Sequence, residues 1–253
     1  MRAHRTYFLP LMGALIFLSW LTLWVWGRSP YARFLSHHHL SEIHNGGLLF
    51  VFIVGWIFMI VAMMLPTILP LVSSFHTLTS GRMDQGTLLA LLVLGYLCVW
   101  TLFGVMIYTG DLILHHAVEH NAWLQANVWS LGAVTVSTAG LYQFTSLKYR
   151  CLDKCRSPLS FIMEHWGGRR EKAQALWLGA HHGLFCLGCC WSLMLLMFAV
   201  GAGNLGWMLA LAVVMGVEKN VPWGKKISVP LGLLLLGWGL ILFIDIAPGS
   251  VGL

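Results

Sequence analysis

Long apolar runs separated by short polar segments dominate this chain. Seven of them reach or approach the roughly 17–25 residues that an α-helix needs to cross the hydrocarbon core of a bilayer. They cover residues 7–26, 48–72, 87–114, 127–147, 175–201, 205–217 and 229–246. The sixth run is short, and Pro66 and Pro70 interrupt the second. We therefore predict an all-α fold: a polytopic transmembrane helix bundle of about seven spans, forming a single integral membrane domain over residues 1–253.

The basic residues are distributed unevenly between the two sides of this predicted bundle. With a cytoplasmic N-terminus, 13 of the 15 Lys and Arg residues fall in cytoplasmic segments, and only Arg28 and Arg33 fall outside. The positive-inside rule therefore predicts a cytoplasmic N-terminus and, with seven spans, a C-terminus on the outer side. No small-residue cleavage site follows the first run, so we expect it to remain as the first helix.

Composition agrees with a membrane location. Hydrophobic residues make up 58% of the chain and charged residues only 9%, whereas a soluble domain carries about 25% charged residues. The formal charge of +6 could indicate nucleic acid, but the excess of basic residues in the cytoplasmic loops accounts for it, and anionic lipid would interact with the same loops. We therefore expect the lipid bilayer, and no nucleic acid, as a partner.

The fifth run carries imidazole and thiol groups, which usually mark a function when they occur in hydrocarbon. On a helix, His182, Cys186 and Cys190 follow one another at intervals of four, and Cys189 borders the same stripe. Thiolate and imidazole ligands suit Cu(I), zinc or iron–sulfur clusters, so the stripe predicts a metal site without choosing the metal. Because Cys186 and Cys189 also form a C-x-x-C, a redox-active thiol pair is an alternative.

Further candidate ligands lie in the second run and in a basic segment after the fourth. Met59 and Met63 are four apart, and their thioethers are soft donors suited to Cu(I). Cys151 and Cys155 are also four apart, among several Lys and Arg residues. We expect these basic neighbours to lower the pKa of both thiols and the cytosol to keep the thiols reduced. Such a surface pair could accept a soft metal from a donor.

Two predicted outer loops are rich in histidine and carboxylate side chains. The first covers residues 36–44 and the second residues 111–120. The second would present two helical faces, formed by Asp111, His115 and Glu119 on one side and by His116 and His120 on the other. Imidazole and carboxylate suit Cu(II), zinc or iron, so we expect these loops to receive metal or pass it on at the outer face.

Glu218 and Lys219 end the sixth run, and the sequence allows two interpretations of this pair. The pair can mark the membrane interface, where a lysine side chain extends to the headgroups. Alternatively, Glu218 faces the bundle and supplies a hard ligand or a proton.

Several motifs occur together in one order. They are Ala62-Met63-Met64-Leu65-Pro66, the C-x-x-x-C between Lys148 and Pro158, the run from Cys186 to Met194, and Gly203 to Met208 followed by Glu218-Lys219. Over about residues 48–226 the chain resembles the predicted metal-binding integral membrane proteins, a former domain of unknown function often described as copper chaperones. The resemblance implies a multi-pass bacterial inner-membrane protein that handles copper. The residues that match its motifs are Met63, Met64, Cys151, Cys155, Cys186, Cys189, Cys190 and Glu218.

These features together predict a membrane metal-binding protein that handles copper, as a chaperone or as a delivery protein for a copper enzyme. Cu(I) is favoured, with zinc and iron as alternatives, and the expected partners are a copper donor or a copper-enzyme client. Cys151 and Cys155 would hold the ion at the cytoplasmic face, the fifth run would hold it within the membrane, and the outer histidines would act on the far side. No G-x-x-x-x-G-K-[ST] motif is present, so ATP would not drive any transport.

Three other functions are compatible with the sequence. A membrane thiol oxidoreductase would use the C-x-x-C of Cys186 and Cys189. A metal-dependent membrane oxidase would use Asp111 together with His115, His116 and His120. A structural subunit of a larger membrane complex would use its cysteines only for packing.

Overall fold

A computed structural model of the chain describes residues 2–28, 46–167, 170–200 and 204–246. The regular structure within these ranges is helical throughout. The helices are α1 (Arg2–Gly27), α2 (Gly46–Leu78), α3 (Gln85–Glu119), α4 (Ala122–Ala126), α5 (Val128–Tyr142), α6 (Ser146–Arg156), α7 (Pro158–His165), α8 (Glu171–Val200), α9 (Leu205–Asn220) and α10 (Ser228–Ile246), with a 3₁₀ turn at Gly224–Ile227 before α10. The prediction of an all-α fold is confirmed for these residues.

Five of the described helices are long and apolar enough to cross a membrane: α1, α2, α3, α8 and α10. The fourth and sixth predicted spans form the shorter helices α5 and α9, of 15 and 16 residues. At 1.5 Å per residue these two helices are about 22–24 Å long, which is less than the ~30 Å of the hydrocarbon core. The five long helices indicate a membrane protein, whereas the total of seven spans and the orientation of the N-terminus remain predictions.

The outer surface of these helices is strongly apolar. Phe17 in α1, Leu102 in α3 and Leu234 in α10 have 68%, 66% and 72% of their surface exposed. Large apolar side chains exposed in such numbers would be unfavourable in water and are expected on a surface that contacts lipid. The exposure pattern thus agrees with the apolar runs read from the sequence.

The two prolines of α2 do not end the helix, because other groups bind the backbone oxygens near them. Pro66 has no N–H to donate to the carbonyl of Ala62, and the indole Nε1 of Trp20 in α1 donates to that oxygen instead, at 3.1 Å. Thr67 Oγ1 donates to the carbonyl of Met64 at 2.7 Å. The proline therefore provides an attachment point between α1 and α2.

Glycines allow α3 and α8 to pack in direct backbone contact. A Cβ on Gly95 would lie 2.0 Å from the carbonyl oxygen of Leu176, and a Cβ on Gly179 would lie 1.9 Å from that of Leu92. Only glycine fits at these two positions, which is the usual way in which membrane helices approach closely. The two helices run parallel, with Arg82 before α3 paired with Glu171 at the start of α8.

The basic segment after the fourth run, expected to be a surface loop, is a helix with one buried face, formed by Lys148, Cys151 and Leu152. The segment forms α6, which begins with the Thr145 hydroxyl accepting the backbone N–H of Lys148 and packs against α8. Lys148 itself is fully buried, and its Nζ lies 2.6 Å from Oε1 of Glu218 in α9. Because a buried charge must be paired, this ion pair draws α6 into the bundle. It thereby brings the thiols of α6 close to those of α8.

Candidate metal centre

The stripe predicted in the fifth run lies in the interior of the bundle, on α8. His182, Cys186, Cys189 and Cys190 each have no more than 2% of their surface exposed. The thiols of Cys189 and Cys190 both donate to the backbone carbonyl of Cys186, at 3.1 and 2.8 Å. The helical spacing therefore placed these four residues correctly on one buried face.

A lysine from another helix reaches this face. Lys219, one residue before the end of α9, is only 6% exposed. Its Nζ lies 2.9 Å from Sγ of Cys186, 3.7 Å from Sγ of Cys190 and 3.9 Å from Sδ of Met64. No sequence pattern indicates this contact, because a lysine at the end of an apolar helix usually lies at the membrane interface.

The sulfur of Cys186 is at the centre of these contacts. The hydroxyl of Tyr96 in α3 lies 3.0 Å from the same sulfur, on a side chain that is itself buried. Tyr96 from α3 and Lys219 from α9 thus contact this sulfur of α8, and Met64 from α2 contacts the same lysine. No single segment of the sequence contains this arrangement.

The cysteines of α6 belong to the same buried group as those of α8. Cys155 interacts with both Cys186 and Cys189. The Sγ of Cys151 lies against Gly188, where an added Cβ would come within 2.6 Å of this sulfur. The absence of a side chain at Gly188 therefore lets α6 pack closely against α8. The two thiol sites expected from the sequence, one cytoplasmic and one within the membrane, are a single centre in the fold.

The prediction that basic neighbours lower the pKa of the α6 thiols is wrong. Hydrogen bonding to Cys186 and Cys189, together with burial, raises the pKa of Cys155 well above its usual range. Burial, and then the charge of Cys189, raises the pKa of Cys151. Both thiols of α6 therefore keep their protons to higher pH than a free cysteine.

Three of the four basic side chains of α6 bind other partners, and the causes that shift these pKa values are burial and the neighbouring thiols. Lys148 binds Glu218, and Lys154 binds Glu164 of α7 at 2.7 Å. Arg156 donates to the backbone carbonyls of Glu218 and of Pro222, the latter at 2.9 Å. These cations hold α6 against α7 and α9 and do not face the thiols.

The candidate methionines of α2 differ in their positions. Met59, Met63 and Met64 are all buried, with 6%, 1% and 0% of their surface exposed. Met64 is the one whose sulfur contacts Lys219, beside Cys186 and Cys190. Met59 and Met63 belong to the same buried cluster as Met64 and the cysteines of α8, and no polar contact of their sulfurs is present among the described residues. The four-residue spacing predicted Met59 and Met63 as ligands, and only the family motif pointed to Met64.

His182 is buried between aromatic rings beside the thiols. Its ring centroid lies 5.4 Å from that of Phe161 and 6.3 Å from that of Tyr96. Its Nδ1 is buried and has no hydrogen-bond partner among the residues that the structure describes. A buried nitrogen without a partner is costly, so this atom remains able to accept a hydrogen bond or a ligand.

Glu218 faces the bundle, but its carboxylate is already engaged. Oε1 accepts hydrogen bonds from Lys148 Nζ at 2.6 Å and from Ser228 Oγ at 2.7 Å. Of the two interpretations left open by the sequence, the buried one describes its position. The geometry favours a structural role in joining α6, α9 and α10 over a role as a ligand.

The segment predicted as the second outer loop, residues 111–120, is helical up to Glu119, and it brings together three possible ligands at the C-terminal end of α3. The ligand atoms of His116, Glu119 and His120 all lie within 4.8 Å of one another, and the three residues are exposed. His115, which we also predicted, is turned away, because its Nδ1 lies 3.0 Å from the backbone oxygen of Asp111 and 3.5 Å from its carboxylate. The first outer loop, residues 36–44, lies outside the described residues.

Fold and site together define a helical protein with five helices long and apolar enough to cross a membrane and with a buried, sulfur-rich centre. Thiol and thioether donors of this kind fit a soft cation such as Cu(I). The copper chaperone family (PpoB2) matches residues 53–242, and the chain belongs to this family. The matched region contains the residues of the centre on α2, α3, α6, α8 and α9. The chain matches no curated protein and no solved structure.

Family membership confirms the resemblance drawn from the sequence motifs. It supports a copper-handling role and implies a copper-related partner.

Proposed function

We propose that this protein is a multi-pass inner-membrane copper chaperone that holds Cu(I) at the buried centre and delivers it to a copper enzyme. The observation that carries the proposal is the convergence of three sulfurs, from Cys186, Cys190 and Met64, around one point in the interior. Thiolates and thioethers select Cu(I) over hard cations, and burial excludes the water that hard cations would retain.

Cys186 and Cys190 are the proposed principal ligands, with Met64 as a weaker third donor. Metal–sulfur bonds are about 2.3 Å long for zinc, so two sulfurs bound to one ion lie at most about 4.6 Å apart. Because both sulfurs contact the same Nζ, at 2.9 and 3.7 Å, they lie at most about 6.6 Å apart, and binding one ion would require them to lie within about 4.6 Å. His182 would complete the site through its unpartnered Nδ1.

Cys189 and Cys155 are the proposed exchange ligands. Both lie beside Cys186, so the ion can move from one sulfur to the next without passing through a state with no ligand. Cys151 borders this group on α6, against Gly188. Successive replacement of one thiol by another is a chemically simple way to load and unload a soft cation that binds tightly.

His116, Glu119 and His120 are the proposed second site, for metal at the outer face. Imidazole and carboxylate suit Cu(II) or zinc better than Cu(I). His116 is 20 residues beyond Tyr96 on the same helix, which corresponds to about 30 Å along α3. The two sites would therefore bind independently, and replacing His116 and His120 with alanine should remove metal binding at the outer face while leaving Cu(I) at the buried centre.

The decisive test measures copper per protein in the Cys186→Ser plus Cys190→Ser variant. Purified wild type loaded with Cu(I) under reducing conditions should retain copper through desalting, and the double variant should lose the copper of this centre. The matched control is Cys98→Ser, since Cys98 is an exposed cysteine on α3, away from the centre.

Unchanged copper content in the folded double variant would refute the assignment. A reversible disulfide between Cys186 and Cys189, found by thiol trapping in metal-free protein, would favour the thiol oxidoreductase instead. Met64→Leu keeps the side-chain volume and removes one weak donor, so it should weaken Cu(I) binding less than the double cysteine variant.

A further inference from the structure

Lys219 is a buried cation without a carboxylate partner in the part of the chain that the structure describes. The polar contacts of its Nζ within that part go to the sulfurs of Cys186, Cys190 and Met64. The carboxylate next to it in sequence, that of Glu218, binds Lys148 and Ser228 instead. A buried ammonium is costly unless an anion compensates it. The groups in contact with the Lys219 ammonium are sulfur atoms, so a cysteine thiolate is the anion that would compensate it.

We propose that the Lys219 ammonium occupies the copper position in the metal-free protein and is expelled when Cu(I) binds. This inference depends on the proposed function, because it takes the buried centre as the copper site. The ammonium and Cu(I) each carry a single positive charge. Exchange of one for the other keeps the positive charge that compensates the Cys186 thiolate, and binding by Cys190 as a second thiolate would also release the proton of its thiol to solvent.

The two cations cannot share the site. The Nζ already lies 2.9 Å from Cys186 Sγ and within 4 Å of the other two sulfurs. An ion bound to the same sulfurs at about 2.3 Å would stand in contact with the ammonium. Like charges repel strongly at such a distance in a low-dielectric interior. Loading therefore requires the lysine side chain to leave.

The position of Lys219 provides a route out. It is the penultimate residue of α9, which ends at Asn220 and is followed by the exposed residues Pro222 and Trp223. A lysine has a flexible four-carbon stem that can carry its charge from a buried helix end to the surface. Return of the ammonium would displace the copper, which gives a chaperone a means of release that needs no external energy source.

The inference is tested by chemical labelling of lysines in the wild-type protein, with N-acetoxysuccinimide as the amine reagent and mass spectrometry as the readout. Metal-free protein and protein loaded with stoichiometric Cu(I) are labelled in parallel, and copper is measured in the same samples. In the metal-free state the exposed conformer should be a minor one, populated at about 0.1–10%. Labelling of Lys219 should therefore increase about tenfold or more on loading.

Two other lysines provide internal controls. Lys148 is as deeply buried but is paired with Glu218, so it should stay protected in both states. Lys226 is exposed and should be labelled equally in both states. In the Cys186→Ser plus Cys190→Ser variant, added Cu(I) should no longer unmask Lys219.

The possible results separate this inference from the proposed function. If copper does not bind, or binds equally well to the double cysteine variant, the proposed function fails. If copper binds at the thiols and Lys219 stays protected, the proposed function stands and the displacement of lysine is refuted. Equal labelling of Lys219 in both states of a copper-binding protein refutes the displacement as well.

Discussion

Replacement of Glu218 by glutamine removes one charge from the buried ion pair that joins α6 to α9. The side chains of Lys148 and Glu218 have 0% and 3% of their surface exposed, so solvent does not screen the pair. Removing one partner of a buried pair leaves an uncompensated charge and costs about 3–5 kcal/mol. We therefore expect Glu218→Gln to lower the free energy of unfolding by about this amount.

The same physics predicts that a second substitution restores stability. In Lys148→Met plus Glu218→Leu neither charge of this pair remains, and apolar side chains of similar size replace the pair. Such replacements are neutral or stabilising by about 1–4 kcal/mol in other proteins. The double variant should therefore be more stable than Glu218→Gln, although it contains one substitution more.

The assay is a reversible unfolding titration with sodium dodecyl sulfate in mixed micelles, followed by tryptophan fluorescence. The matched control is Glu164→Gln, which breaks the exposed pair with Lys154, where side-chain exposures are 43% and 55%. That change should cost no more than about 1 kcal/mol. The reasoning is refuted if Glu218→Gln is as mild as the control, or if the double variant is no more stable than Glu218→Gln.

Two further predictions concern helix packing and thiol chemistry. Gly179→Ala would place a Cβ 1.9 Å from a backbone oxygen of α3 and should destabilise the protein by about 1–3 kcal/mol or more. Gly110→Ala meets no atom within 4 Å and should be neutral or stabilising by up to about 1 kcal/mol in the same titration; equal effects would contradict the close α3–α8 contact. Because the pKa of Cys155 is raised, its alkylation rate in folded, metal-free protein should still be rising above pH ~8.5, where a free cysteine is half ionised. A plateau below that pH would show that the basic residues of α6 do act on the thiol.

The single buried centre changes the mechanism that the sequence suggested. Two separate thiol sites would require the ion to cross from a cytoplasmic pair to a membrane site. In the fold, Cys155 of α6 already lies beside Cys186 and Cys189 of α8. Under the proposed function, loading would need only an exchange of ligands within one group, and the proposed movement of Lys219 would move a positive charge out of the site.

The sequence alone determined the helical class, the positions of the long helices and the stripe on α8. These features are local, because apolar runs of sufficient length must form helices in a bilayer, and a four-residue spacing puts side chains on one face. The stripe of His182, Cys186, Cys189 and Cys190 could be read from eleven consecutive residues, 181–191. The family motifs added Met64, which spacing alone would have passed over.

Only the tertiary structure decided which side chains meet that stripe. Lys219 follows Cys186 by 33 residues, and Met64 precedes Lys219 by 155; no periodicity connects positions so far apart. From the sequence we expected Lys219 to lie at the membrane interface and the basic residues of α6 to lower the pKa of its thiols. Each expectation is the usual one for such a residue considered by itself. Burial reverses both interpretations. In a low-dielectric interior every charge must have a partner, and the helices pack so that Lys148 binds Glu218 while Lys219 lies among the sulfurs.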